Sequence, residues 1–298
     1  MNRKIGLSIL FLNLFVFFIS PTTHAQLLNG NTLKTVQTQD IVDQIQPGSI
    51  LIIGEMHALA PVQAQQLEIL SALRAKGLKL AIGFEFFNYT DQKTIDDYRS
   101  NQISQDDFLK AINWGGFSFD FYKPQLLFPD ATLGETALGL NVPSFVTKQL
   151  SKGGYDSLTP EQKSLLPSDF TLGNQGYKDR FALEMGGHMP PDKLDLYFAA
   201  QSAWDDTISM NAANYIEQHP QDVFVIIIGE FHVAYGGGTP DRLNQRLFAK
   251  GIQPQITTIS QLYTEGMTPD EIQAEITPSS LYGKRSDFIW LSEPVVTP

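Results

Sequence analysis

The run Val223–Ile228, VFVIII, constrains the fold more than any other stretch. Its six residues are apolar without a break and mostly β-branched. A segment with no hydrophilic side reads as a strand buried on both faces, as in the middle of a parallel sheet. The run stops at Gly229 and is followed by Glu230, His232, Tyr235 and the glycines Gly236, Gly237 and Gly238. An earlier stretch, Ser49–His57, SILIIGEMH, shares the ending Ile-Ile-Gly-Glu-x-His. Open α/β sheets bind ligands beyond the carboxyl ends of their strands, so an acid and an imidazole placed there are aimed at a pocket. In extended chain, residues i and i+2 share a face. Glu55 with His57, and Glu230 with His232, are each expected to converge on one target. The two strand ends are expected to adjoin and form the rim of one site.

The rest of the chain alternates in the same manner. Residues 26–46 are polar and include a short leading helix. Strand 50–53 is followed by a helix over 60–76, with Val62, Leu67, Leu70 and Leu73 as its apolar stripe, then by a strand over 79–84 ending in Glu85. This β-α-β unit predicts a parallel pair with a right-handed crossover. A polar helical segment spans 91–113, and WGGFSFDFY at 114–122 reads as a packed loop. A strand over 137–140, a helix from Pro143 and an irregular, proline-rich stretch over 155–191 come next. A long amphipathic helix covers 192–219. After the central strand come a helix over 240–249, a strand near 256–259, and a tail with a small helix and the apolar segment 288–291. The fold class expected is α/β: a central, mostly parallel sheet with helices on both faces, and a smaller helical part inserted at about 91–218.

Arg3 and Lys4, the apolar run from Ile5 to Ile19, and the ending Thr23-His24-Ala25 have the order of a secretory signal peptide spanning 1–25. The apolar run is shorter than the ~20 residues that span a bilayer. No later segment is expected to span one. The formal net charge is −11, and cleavage after Ala25 would remove two cations and no acid. Such a balance argues against a nucleic-acid partner. There is no cysteine, so disulfides, thiolate ligands, a cysteine nucleophile and a lipoprotein anchor are all excluded. The location expected is periplasmic or secreted.

Glu55, His57, Glu85, Glu230 and His232 are therefore the candidate catalytic set, should the protein be an enzyme. The plain alternative is that each Glu caps a helix or pairs with a buried Arg. That suits any one of them better than all five, because burying several carboxylates without purpose is costly. Two chemistries fit. His57, His232 and Glu85 are candidate ligands of a divalent metal ion, which would activate water for hydrolysis. Otherwise Glu and His act as base and acid without metal. The spacing is not the i, i+4 His pair of zinc proteases, so the metal reading rests on composition alone.

A second constellation, FALEMGGHMPP at 181–191, places His188 and Met189 in a loop. It reads either as a surface loop whose methionines fold onto the core or as a lid over a flat hydrophobic ligand. The glycines after Tyr235 allow close approach of a ligand or of backbone, and the helix start at Pro240 offers a place for an anion such as a propionate. Gln201 and Asp205 lie four apart on one face of the long helix, beside Trp204.

Taken in order, several short motifs resemble the ChaN-like haem-binding uptake family, within a wider group that holds the Tiki and TraB proteins and erythromycin esterases. They are Gly54-Glu55-x-His57, Phe84-Glu85-Phe86-Phe87, Asn141-Val142-Pro143, His188-Met189, Gln201 with Trp204-Asp205 and Met210, Gly229 with His232-Val233 and Gly236-x-Gly238-x-Pro240, and Ser286-Asp287-Phe288-Ile289-Trp290. The resemblance covers nearly all of residues 26–298. It implies an exported binding protein, more than an enzyme, acting in haem and iron uptake. It also implies ferric haem held by a tyrosine oxygen, and a homodimer around stacked haems. Tyr155, Tyr177, Tyr197 and Tyr235 are the candidate ligands. Tyr235, His188, Met189 and Gln201 form the expected haem-binding set. The wider group implies the alternative, a peptidase- or esterase-like hydrolase working through the two Gly-Glu-x-His ends. The sequence departs from the family in lacking further His just after the first Gly-Glu-x-His, over 58–66, in carrying Ser144 where Arg is usual, and in having no cysteine.

Overall fold

A computed structural model describes residues 26–186 and 189–293 of the chain. The leader read at 1–25 and His188 lie outside the described residues. The strands are β1 (Gln26–Asn29), β2 (Ile50–Glu55), β3 (Leu80–Asn88), β4 (Thr136–Asn141), β5 (Val223–Gly229), β6 (Ile256–Tyr263) and β7 (Phe288–Ser292). They form one sheet in the order β1-β7-β6-β2-β5-β3-β4, parallel throughout except that β1 runs antiparallel to β7. Every residue of β2 and β5 is buried, as their unbroken apolar runs require.

Helices cover both faces. On one, Ile69, Leu70 and Leu73 of α2 (Ala60–Ala75) pack on Leu51, Ile53, Val225 and Ile227, together with residues of α1 (Thr38–Gln44), α3 (Gln92–Arg99) and α4 (Gln105–Ala111). On the other, Ile50, Ile52, Ile226 and Ile228 meet Ile208, Ala212 and Ile216 of the long helix Pro191–Gln218 and Leu243 and Leu247 of the helix Thr239–Ala249. Alternate residues of one strand thus serve opposite cores. Along the chain, between α4 and the long helix, come α5 (Lys123–Leu127), α6 (Ser144–Gly153), α7 (Pro160–Lys163) and α8 (Gln175–Glu184). The long helix is therefore α9, the helix after β5 is α10, and Pro269–Ile276 is α11. Among the described residues, no helix is long and apolar enough to cross a membrane.

Three expectations need correction. β2 and β3 are parallel but not paired, because β5 lies between them; the most continuous apolar strand takes the position flanked by strands on both sides. The polar lead-in contains β1, whose Leu27 and Leu28 are buried. The segment 91–113 is two helices. The chain turns at Asn101 (φ 58°), and Ser104 caps α4 by accepting from the Asp107 N–H. The aromatic stretch 114–122 is a packed loop: Trp114 meets Phe119 and Tyr122 with ring centroids 5.6 and 5.7 Å apart.

β2 and β5 lie side by side with Glu55 opposite Gly229. The helix that follows β2 packs on one face of the sheet and the helix that follows β5 on the other. Their carboxyl ends therefore open a crevice of the kind where α/β sheets bind ligands.

Candidate functional site

The doubled motif is brought together, but one residue out of step: Gly54 stands opposite Ile228, and Glu55 opposite Gly229. A one-residue shift turns matching side chains to opposite faces, so the two copies contribute differently. Glu55 and His57 behave as extended chain predicts. His57 Nδ1 lies 3.0 Å from Glu55 Oε1. Glu230–His232 is instead a turn of 3₁₀ helix, so Glu230 leaves its histidine and accepts from Arg285 Nε at 2.7 Å. Arg285 also pairs with Glu275. His232 turns inward to α9 and β3. Its Nδ1 is 2.8 Å from Asp205 Oδ1, and its Nε2 is 3.4 Å from Glu85 Oε1.

Glu85 sits between the two histidines. Its Oε2 accepts from the Gly229 N–H at 2.5 Å. A Cβ at Gly229 would stand 3.1 Å from His57 Cε1 and 3.3 Å from Glu85 Oε2, so this glycine lets His57 and Glu85 close over the end of β5. The result is a row of alternating carboxyl and imidazole groups: Asp205, His232, Glu85, His57, Glu55.

The row extends at both ends through donors on helices. Glu55 is fully buried and accepts from Gln66 Nε2 at 2.5 Å and Gln63 Nε2 at 3.3 Å, both on α2. At the other end Tyr177 donates to Asp205 Oδ2 at 2.8 Å, and Thr239 donates to Asp205 Oδ1 at 2.8 Å. The Gln201 amide lies over the His232 ring, 3.2 Å from both nitrogens, and donates to the Tyr177 hydroxyl at 3.0 Å.

Burial alone would lower the pKa of His232, but the Asp205 and Glu85 carboxylates outweigh it and raise it to about 10. Burial would raise Glu85; the His232 charge and hydrogen bond, helped by His57, hold it at about 2. His57 is raised: burial opposes, and the Glu55 hydrogen bond and the Glu85 and Glu55 charges prevail, against repulsion from His232. Burial and then the charge of Asp205 push the Tyr177 phenol well up. At neutral pH the two carboxylate–imidazolium contacts of His232 satisfy a group that burial would otherwise neutralise.

His57, Glu85 and His232 line a cleft of about 680 Å³, with Trp204, Phe231 and Met267 among its apolar walls. A second cleft, of about 860 Å³, adjoins it and holds Arg180, Tyr235 and Tyr282. Phe231 and the Glu230–Arg285–Glu275 bridge border both. Glu55, His57, Glu85, His232 and Gln201 are thus brought together, Glu230 stands on the divide, and Tyr235 lies in the neighbouring cleft. Met189 precedes α9 and is half-buried. Met185 folds onto the cluster of Tyr177, Phe181 and Phe198.

The helix start at Pro240 does not offer an open anion site. Asp241 Oδ2 already accepts from the Gly237 N–H at 2.7 Å. Two of the three glycines serve close approach within the protein: a Cβ at Gly237 would lie 2.9 Å from Tyr177 Cβ, and one at Gly238 2.4 Å from the His232 carbonyl oxygen. Among the described residues, no group of three or more His, Asp or Glu is arranged to hold a metal ion. The donors of the row face one another instead. Sequence reasoning missed Gln63, Gln66, Arg180 and Arg285. The two glutamines left one signal, polar residues at i and i+3 on the inner side of α2.

Residues 41–243 match the family described as haem-binding uptake, Tiki superfamily, ChaN. The fold is similar to that of the solved structure "Cofacial heme binding to ChaN of Campylobacter jejuni", at 15% identity and a TM-score of 0.61, covering 89% of this chain and 96% of that one. Weaker likenesses include the type III effector HopBA1 (15% identity, TM-score 0.45, 92% and 99% covered) and a mutant of the erythromycin esterase EreC in its open conformation (11% identity, TM-score 0.46, 80% and 76% covered). No curated protein matches the sequence.

Proposed function

This chain belongs to the ChaN haem-binding uptake family of the Tiki superfamily, and from that premise we propose that it binds haem as an exported component of haem and iron uptake. The observation that carries the reading is the family match, which spans the site-bearing strands β2, β3 and β5. The residues present fit the group. Haem is a flat apolar ring with two carboxylates, and the 860 Å³ cleft has the size of a small-molecule site. Aromatic rings of Phe231, Tyr235 and Tyr282 line it.

We propose that Tyr235 is the residue that would hold the haem iron. When bound, haem supplies a ferric iron, for which a phenolate is a hard anionic ligand. Tyr235 is half-buried and is held at φ 56° by its N–H, which donates to the Arg285 carbonyl at 2.7 Å. A bulky residue in the left-handed region is a strained placement of the kind that clusters at functional sites. Arg180 and Arg285 stand 5.6 and 5.4 Å from its ring centroid. Tyr177 is unsuited: it is 1% exposed and its hydroxyl is committed to the buried Asp205 carboxylate, whereas the Tyr235 hydroxyl donates only to the Glu275 carbonyl, at 3.2 Å in an exposed setting. Titration with haemin tests both statements. A Soret band that shifts on binding and is lost or displaced in Tyr235→Phe is expected; no shift in the native protein sinks the reading. The proposal extends to a homodimer around stacked haems, tested by sedimentation with and without haemin.

A second reading, an acid–base hydrolase, is favoured by one observation. The Glu55–His57 pair orients an imidazole at a cleft beside a second carboxylate, Glu85. A divalent metal fits poorly, because both ring nitrogens of His232 face carboxylates that it would have to displace. Loss of turnover of an ester or peptide in His57→Ala would establish this reading, and retention would end it.

A further inference from the structure

We propose that Arg180 is the carboxylate-recognition residue of the 860 Å³ cleft, so that the protein selects a flat ligand by its acid groups. Arg180 is 9% exposed and lines the cleft. Buried charges are as a rule paired. Yet among the described residues Arg180 makes no ion pair within 4 Å, and its hydrogen bond goes to the Gly236 carbonyl at 2.5 Å. The neighbouring cation is different: Arg285 is matched by both Glu230 and Glu275.

The surroundings define the ligand. Around the Arg180 guanidinium stand the rings of Tyr177, Phe231, Tyr235 and Tyr282, at 5.2, 5.4, 5.6 and 5.8 Å. Aromatic faces stabilise a cation without neutralising it. They leave its charge available and offer an apolar wall to a flat ring. Acidic groups border the same cleft, but Glu230 and Glu275 are engaged by Arg285, while Glu184 and Asp270 are exposed and screened by water. A planar guanidinium presents two donors to a carboxylate at once, which a lysine cannot do. The guanidinium of Arg180, which donates to the Gly236 carbonyl but pairs with no acid among the described residues, therefore suits a carboxylate on an aromatic or porphyrin-like ring.

This inference rests on the haem reading for the identity of the ring, and the test separates the two. Native protein, Arg180→Gln and Arg180→Lys are titrated with haemin and with its dimethyl ester, in which both acids are blocked. The same three proteins are titrated with the anionic fluorophore 8-anilinonaphthalene-1-sulfonate, and circular dichroism verifies the fold of each. The native protein is expected to prefer haemin over the ester by about tenfold or more, the scale of one charged hydrogen bond. Arg180→Gln is expected to lose that preference while binding the ester as before, Arg180→Lys to keep part of it, and the fluorophore to bind less well to Arg180→Gln. Equal native affinity for haemin and ester, or an undiminished preference in Arg180→Gln, overturns the role of Arg180 even though haem binds. If native protein binds no haemin, the haem reading falls. The fluorophore then decides alone: weaker binding by Arg180→Gln supports the anion site, and equal binding overturns it.

Discussion

His232 and Asp205, 27 residues apart in the chain, meet through a 2.8 Å hydrogen bond between imidazole Nδ1 and carboxylate Oδ1, with Asp205 fully buried. The pair joins the end of β5 to the middle of α9. It also sets the orientation in which His232 reaches Glu85. Replacing Asp205 with Asn leaves an imidazole that burial and the loss of its partner both push toward the neutral form. The expected cost is about 3–5 kcal/mol, the scale for breaking a buried pair from one side. Urea denaturation measures it; a loss under 1 kcal/mol would mean that the contact is incidental.

The row of charges predicts a stability maximum in mildly acidic solution. His232 rises from 6.5 to about 10 on folding, so its contribution is complete below pH 6.5 and is lost as pH climbs toward 10. Glu85 falls from 4.5 to about 2, so its contribution is complete above pH 4.5 and is lost as pH drops toward 2. Unfolding free energy should decline on the alkaline side with a slope approaching about 1.4 kcal/mol per pH unit for one proton. His232→Gln should flatten that limb and weaken the acid one as well, because the His232 charge is the main influence holding Glu85 low. An alkaline limb of equal slope in both proteins would show that His232 is not the group responsible.

Gly237 and Gly77 separate two costs of a side chain. Both have positive φ, 82° and 84°. An added Cβ meets nothing within 4 Å at Gly77 but lies 2.9 Å from Tyr177 Cβ at Gly237. Gly77→Ala should cost about 1 kcal/mol, from backbone strain alone. Gly237→Ala should cost visibly more, since Tyr177 must move and it holds Asp205. Thermal melts of the two variants compare them directly, and equal losses would refute the packing argument.

Gln66 tests how the Glu55 carboxyl is held in place beneath the sheet end. Gln66 donates to Glu55 at 2.5 Å and to Gln261 Oε1 at 3.1 Å, wholly buried. Gln66→Leu removes a donor to a buried acid and should cost about 1.5–3 kcal/mol. It should also move the His57 ring resonances in an NMR spectrum, because Glu55 orients that ring. Unchanged resonances would indicate that Gln63 suffices to hold the acid.

Much of this arrangement is legible in one dimension. The apolar runs at 50–53 and 223–228 announce central parallel strands because only a strand covered on both faces has no polar side. The repeated Gly-Glu-x-His ends announce a site because strands of a parallel sheet finish on one edge. The Glu55–His57 contact follows from extended spacing. The same spacing fails for Glu230, where a 3₁₀ turn follows Gly229 and the acid swings to Arg285, 55 residues later. Nothing periodic in the chain marks that turn.

Local pattern was enough for the sheet, its two covered faces and the edge on which ionisable groups collect, since these depend on which residues avoid water. Which charge meets which was left to the tertiary structure. Asp205 finds His232, Glu85 finds Gly229, Arg180 makes no ion pair among the described residues, and β2 and β5 pair one residue out of step. Hydrogen bonds act over about 3 Å. At that range a single step of register changes every partner while leaving the hydrophobic pattern of the sequence untouched.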